Sequence, residues 1–313
     1  MRLYRYQPKG GAESKTCVAV ALGSDPPVDL IEAWSQVKGA PTTDELRHTL
    51  SSPLKLIEAG IETWVNVQDV ARLAEGLPGA LTPGSRLLSP LDSVPSLRDF
   101  LAFEDHVLRG AERRRSQVPE YWYKAPIYYK GNHRSIIGPD AMCPWPSYSK
   151  RVDFELELAM IVGRRGKDVA VGDAPLHLFG FTILNDFSAR DVQALEMTAW
   201  LGPSKGKDFA TALGPCIVTA DEIGAQPDLE MICRVNGEEW GRSRSSKARW
   251  KWVDMIAHVS QDEEIFPGDV YGSGTPGGCC GLDLGRDLNP GDVVELEIER
   301  IGILRNTIGP RTY

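Results

Sequence analysis

Nowhere does this 313-residue sequence hold the roughly 18 unbroken apolar residues that a bilayer-spanning helix needs. The opening "MRLYRYQPKGG" has no apolar core of the kind a secretion signal carries, so neither export nor membrane insertion is expected. Basic residues are also short: 35 Lys plus Arg stand against 43 Asp plus Glu, a net charge of −8. With no basic stripe to offset phosphate repulsion, nucleic acid is excluded as a partner. The one basic run, Arg113-Arg114-Arg115, reads as a solvated face after a helix. Cysteine is sparse and unpatterned. Cys17, Cys143, Cys216, Cys233, Cys279 and Cys280 form no C-x-x-C pair and no Cys/His spacing of the zinc kind. Reduced thiols and a cytoplasmic location are the expectation. Five histidines are present, and His48, His133, His177 and His258 lack any paired spacing.

What is present is a chain of ordinary globular composition, 42% hydrophobic and 25% charged, long enough for a large core. Residues 1–90 mix a strand-like "TCVAVAL" with helical periodicity in "TTDELRHTLSSPLKLIEAGI" and end in the Pro/Gly-rich "LPGALTPGSRLLSPLDSVP". This is read as a small N-terminal α+β domain with its connection, followed by a larger domain over 91–313. In "PSLRDFLAFEDHVLRGAERRR" the spacing of Leu97, Phe100, Leu101 and Leu108, with Ser96 as N-cap, predicts a helix. Beyond it come short strands with turn signals: Asn236-Gly237 for a hairpin, and Pro-Gly-Asp entering strands at 267–269 and 290–292. The fold class is therefore α+β, dominated by antiparallel or mixed sheet.

The chemistry centres on "RVDFELELAMIVG" (151–163), where Glu155 and Glu157 fall on one face of a strand. Their β-carbons would be about 6.6 Å apart, close enough for the carboxylates to meet around a hard cation. Alternating acids alone favour a half-wet strand, and "VELEIER" supplies the control: Glu295, Glu297 and Glu299 alternate identically and are assigned no metal. A third acid, Asp186, ends the apolar run in "FGFTILNDFSARDVQ"; it either caps or pairs, for instance with Arg190, or completes an oxygen-only set. Asp99 and His106, seven apart, would share a helical face, yet Ser96-x-x-Asp99 also fits a capping box, and His106 is equally a general base or a surface histidine. "GSGTPG" matches a dinucleotide fingerprint only formally, because the prolines and glycines that follow forbid the required helix. It is read as a turn that brings backbone close to something.

In order along the chain, "RDFLAFEDH", "YYKGNHRS", "DFELELAMIVG", "NDFSARDVQ", "GKDFAT" and "GSGTPGG" resemble the motifs of the fumarylacetoacetate hydrolase family over residues 95–313. The resemblance implies that family's mixed-sheet catalytic fold. It also implies a divalent cation, Mg²⁺ first with Ca²⁺ or Mn²⁺ as alternatives, on Asp99, Glu155, Glu157 and Asp186. His106 would activate water, oriented by Asp283 where the family's hydrolase has a glutamate one methylene longer. Lys207 would neutralise an oxyanion or enolate, and Tyr129, Gln193, Thr275 and Arg115 would hold substrate. Met197 stands where the family's hydrolase has a tyrosine. The implied reaction is cleavage of a carbon–carbon bond in a β-diketo acid such as fumarylacetoacetate or an acylpyruvate, by a homodimer. The alternatives are decarboxylation or isomerisation of an oxo-acid on the same scaffold, or a non-catalytic metal-binding accessory role.

Overall fold

The computed structural model describes residues 1–11, 16–41, 43–74 and 76–311. The chain begins with strands β1 (Arg2–Gln7), β2 (Cys17–Ala21) and β3 (Val28–Asp29), then helices α1 (Leu30–Lys38), α2 (Asp44–Ser51), α3 (Pro53–Glu58) and α4 (Ile61–Leu73). The helical stretch expected from residue 42 breaks at Ser52, which caps α3 by accepting from Lys55 N, with Pro53 at the first helical position. Its first residue, Thr42, lies outside the described residues. The Pro/Gly-rich connection holds only β4 (Arg86–Leu87), paired to β1.

Next come β5 (Leu97–Phe100), α5 (Glu104–Arg113), β6 (Tyr128–Gly131), β7 (Ile136–Ile137), β8 (Met142–Trp145), β9 (Val152–Asp153), β10 (Leu156–Val162), β11 (Leu178–Asp186) and β12 (Ser188–Ala189). They are followed by α6 (Arg190–Thr198), β13 (Thr211–Thr219), α7 (Ala220–Ile223), β14 (Glu230–Val235) and β15 (Glu238–Arg244). The chain closes with α8 (Trp252–Ser260), β16 (Val270–Gly272), α9 (Gly281–Leu284), β17 (Val293–Ile298) and β18 (Gly302–Arg311).

The helix expected within 95–115, with Ser96 as its N-cap, forms only over Glu104–Arg113. Residues 97–100 are instead a buried strand, laddered to β16 on one side and β6 on the other. The segment is paired on both edges, and Leu97 and Phe100 enter two different cores, so tertiary pairing overrides the local periodicity. Ser96 donates to Asp269 at 2.7 Å and caps nothing. The turn signals behave as read: Asn236 and Gly237 take φ of 53° and 79° between β14 and β15, and both Pro-Gly-Asp segments lead into strands.

The main sheet runs β3-β2-β1-β13-β11-β10-β16-β5-β6, with β7 added beside β13 in parallel. A second sheet, β15-β14-β17-β18-β8, packs against one face of the first, and α8 closes the same core. On the other face lie Leu97, Ala159, Leu184 and Val270, packed with Leu30, Leu50, Leu56 and Val67 of the N-terminal helices. Moving two residues along each strand on that face gives Asp99, Glu157, Asp186 and Gly272, because side chains alternate with period two. The acids thus continue an apolar stripe past the point where it is covered. In a flat sheet β6 and β11 would stand about 19 Å apart, four strand spacings. Yet Tyr129 Oη on β6 donates to Asp186 Oδ2 on β11 at 2.8 Å, so the sheet rolls around its acid-bearing face.

Candidate active site

Three carboxylates from three strands meet inside the roll. Oxygens of Asp99, Glu157 and Asp186 lie within 4.8 Å of one another, and all three residues are buried. Gly272 makes room for them: a Cβ there would sit 2.6 Å from Glu157 Oε2 and 2.7 Å from Asp99 Oδ1. The neighbouring turn is the close backbone approach read from "GSGTPG", with Gly274 N donating to Glu157 Oε2 at 2.9 Å. Burial, then the negative charge of Asp186, pushes the Asp99 carboxyl well above its ordinary value. Glu157 is raised likewise, by burial and then by the charges of Asp99 and Asp186.

Each acid also keeps one enclosed oxygen without a hydrogen-bond partner, namely Asp99 Oδ1, Glu157 Oε1 and Asp186 Oδ1. Three unpartnered carboxyl oxygens enclosed in one cluster are costly for a protein alone and form a fitting donor set for a hard divalent cation. Glu155, expected in the same set, is turned elsewhere. Its carboxylate meets Lys207 Nζ at 2.6 Å and Arg190 Nη2 at 2.8 Å. Burial raises the Glu155 carboxyl, but the charges of Arg190, Lys207 and His106 outweigh that and hold it below the ordinary range.

Lys207 is buried and uses all three ammonium protons: to Glu155 Oε2 at 2.6 Å, Asp186 Oδ2 at 2.5 Å and Ser188 Oγ at 2.6 Å. Burial disfavours its charge, yet the carboxylates of Asp186 and Glu155 reverse the effect, so it stays a cation. Tyr129 remains a neutral phenol, raised by burial and by Asp186 and Asp99.

A second cluster stands beside the first. His106, on α5 rather than on an element shared with Asp99, places Nδ1 2.8 Å from Asp283 Oδ2 on α9. The shorter Asp283 therefore still reaches the imidazole. Its Oδ2 also accepts from Gly278 N at 3.1 Å, and its Oδ1 from Arg113 Nη1 at 2.6 Å. Although burial raises the Asp283 carboxyl, the bond and charge of His106, then Arg113 and Gly278, bring it down to about 2. An ionised Asp283 fixes the proton of a neutral imidazole on Nδ1 and leaves Nε2 as the acceptor.

The remaining expected residues fall as follows. Gln193 Oε1 accepts from Arg190 Nη1 at 3.1 Å, and Thr275 Oγ1 donates to Cys279 O at 3.2 Å. Arg115 is exposed past the end of α5 with φ of 51°, and Met197 is exposed on α6. Sequence reasoning missed one arginine and gave another a different partner. Arg113 was read as solvated; its place seven residues after His106, two turns along one helix face, was the available signal. Arg190 pairs with Asp153 and Glu155, not with Asp186. Asp153 itself is a clasp, accepting from Arg190 Nε, Gly281 N and Leu282 N. None of the six cysteines forms a disulfide among the described residues.

This fold and acid-lined site belong to a known class. The family model described as "Fumarylacetoacetate (FAA) hydrolase C-terminal" matches residues 96–309, and the chain belongs to that family, as one of its superfamily's enzymes. Among curated relatives, "Oxaloacetate tautomerase Fahd2a, mitochondrial" of Rattus norvegicus is 36% identical over 214 residues, which is 66% of this chain and 64% of that protein. The match therefore spans a little under two thirds of that relative's length. Among solved structures, a fumarylacetoacetate hydrolase from Exiguobacterium antarcticum is 26% identical, with a TM-score of 0.75 over 99% of this chain and 100% of that one. A 5-carboxymethyl-2-hydroxymuconate delta-isomerase from Mycobacterium smegmatis is 24% identical, with a TM-score of 0.69 over 99% and 100%, a likeness of fold. Among the described residues no helix is long and apolar enough to cross a membrane.

Proposed function

We propose that this enzyme moves a proton on a small 2-oxo acid, interconverting its keto and enol forms as a metal-dependent tautomerase or isomerase, with oxaloacetate the first substrate to test. The observation that carries the reading is the enclosed Asp99–Glu157–Asp186 cluster with a permanently charged Lys207 at its edge, an arrangement suited to negative charge developing on a substrate oxygen. Those three acids would hold the divalent cation, Mg²⁺ first and Ca²⁺ or Mn²⁺ as alternatives, which when bound would supply Lewis-acid polarisation of a carbonyl. Lys207, fixed by Glu155, Asp186 and Ser188, holds its ammonium still while the enolate charge forms. His106 Nε2 takes the proton from the carbon beside the carbonyl and delivers it to the carbonyl oxygen, with Asp283 keeping the ring in one tautomer and orientation. One C–H bond breaks and one O–H bond forms, so composition is unchanged and no water is consumed. The likeness to a relative named as an oxaloacetate tautomerase supports this reading over hydrolysis.

A second reading, hydrolysis of an acylpyruvate or fumarylacetoacetate, is favoured by the same His106–Asp283 bond, since that imidazole is equally suited to deprotonate water. The two part on isotope. Purified, metal-loaded protein in ¹⁸O-labelled water should accelerate loss of the enol absorbance of oxaloacetate and place no label in a new carboxyl group. Label appearing in cleaved acids from a panel of acylpyruvates, with no tautomerase acceleration, refutes the proposal in favour of hydrolysis. His106→Ala should lower either activity by about 10²–10⁴. The homodimer belongs to the same proposal and is checked by sedimentation.

A further inference from the structure

At the opposite end of the β5–β6 ladder from the Asp99–Tyr129 pair lies a cavity of about 520 Å³. Ser89 and residues 91–95, which lead into β5, form one wall; His133 and Arg134, which follow β6, form another; Arg5 of β1 contributes a third. Pro95 precedes Asp99 by four residues, about 13 Å of extended chain, so the cavity is separate from the acid cluster. Leu91 and Ile136 give it a small apolar floor.

Its polar groups share one character. Arg5 Nε and Ser89 Oγ are enclosed without a hydrogen-bond partner, and Ser89 is only 9% exposed. Arg134 is exposed and forms no ion pair among the described residues, although this acidic chain pairs many of its other arginines. The one acid in the wall, Asp92, accepts from Ser52 Oγ at 2.8 Å on Oδ2 and from Leu54 N at 3.0 Å on Oδ1, and its charge offsets part of the burial cost of the Arg5 cation. Two guanidinium groups, an imidazole and a hydroxyl therefore line one cavity against a single carboxylate, and two of their polar atoms, Arg5 Nε and Ser89 Oγ, are enclosed without a partner. Guanidinium forks match planar carboxylates and phosphate oxygens, and a buried donor without an acceptor is a standing cost that an anion removes.

We infer that this cavity binds a small anion through a carboxylate or phosphate group, with Arg5, Ser89 and Arg134 as its donors. The site stands whether or not the tautomerase reading does, because binding is the readout. Isothermal titration with inorganic phosphate in one arm and acetate in the other separates the two head groups, using metal-loaded and chelator-treated protein side by side. At least one anion should bind with the same affinity in both preparations. Arg134→Gln should weaken it about tenfold, and Arg134→Lys should recover part of the loss. Ser89→Ala gives a second, milder loss without removing a charge. Binding that disappears with the metal, binding that ignores Arg134→Gln, or no binding of either anion each overturns the inference.

Discussion

Replacing Glu157 by Gln tests the cation cluster without depending on any substrate. The amide keeps the acceptor for Gly274 N but deletes one of three charges whose oxygens lie within 4.8 Å. A ligand held only by the folded state stabilises by RT ln(1 + [L]/Kd), about 2.7 kcal/mol at a hundredfold excess over Kd. Unfolding entropy of about 2.1 cal/mol/K per residue over 313 residues gives about 0.66 kcal/mol/K, so that stabilisation raises Tm by about 4 °C. Wild-type protein should therefore gain about 4 °C between chelator and saturating Mg²⁺ or Mn²⁺ in a thermal melt. Glu157→Gln should gain a degree or less, and in chelator it should melt no lower than wild type, because like-charge repulsion inside the cluster has been relieved. A full shift in the variant, or none in the wild type at any divalent concentration, refutes the assignment of these acids as a cation site.

Three further outcomes follow from the same geometry. Gly272→Ala drives a Cβ into Glu157 and Asp99 and should remove the metal-dependent melting shift while circular dichroism stays native; an intact shift would show that the acids do not meet there. Arg190→Met leaves Asp153 and Glu155 buried without their partner, which costs about 3–5 kcal/mol and lowers Tm by about 5–8 °C; a change under a degree would refute the clasp. Asp283, whose folded pKa lies below its ordinary value, contributes stability that is present above about pH 4 and lost as pH falls toward about 2. The gap in urea midpoint between wild type and Asp283→Asn should accordingly narrow across that window, whereas a constant gap would place the effect in packing.

The acid alternation at 155 and 157 and at 295, 297 and 299 is the same in sequence, and only context separates the two. β10 is buried along its whole length, while β17 alternates buried with half-buried positions and Glu297 pairs with Arg234. Ordered motifs from six segments carried the distinction; periodicity did not. Asp99 was legible as a site residue but not as a strand residue, because the ladders that make it one come from β16 and β6, far away in sequence. Glu155 was legible as an acid of the site but not as the partner of Lys207 and Arg190, since a side chain's choice among nearby charges is made by packing. Asp283 and His106, 177 residues apart, were joined by family resemblance; nothing local pairs them.

That separation bears on how the molecule is made. Asp99, Glu157 and Asp186 reach one another only after β5, β10 and β11 have found their places, and the imidazole gains its anchor only when residue 283 has been synthesised and α9 has docked. A ribosome-bound nascent chain is consequently inert through most of its translation. A divalent-cation signal during refolding would therefore report the meeting of β5, β10 and β11 around their acids, whereas the His106–Asp283 bond would report the docking of α9.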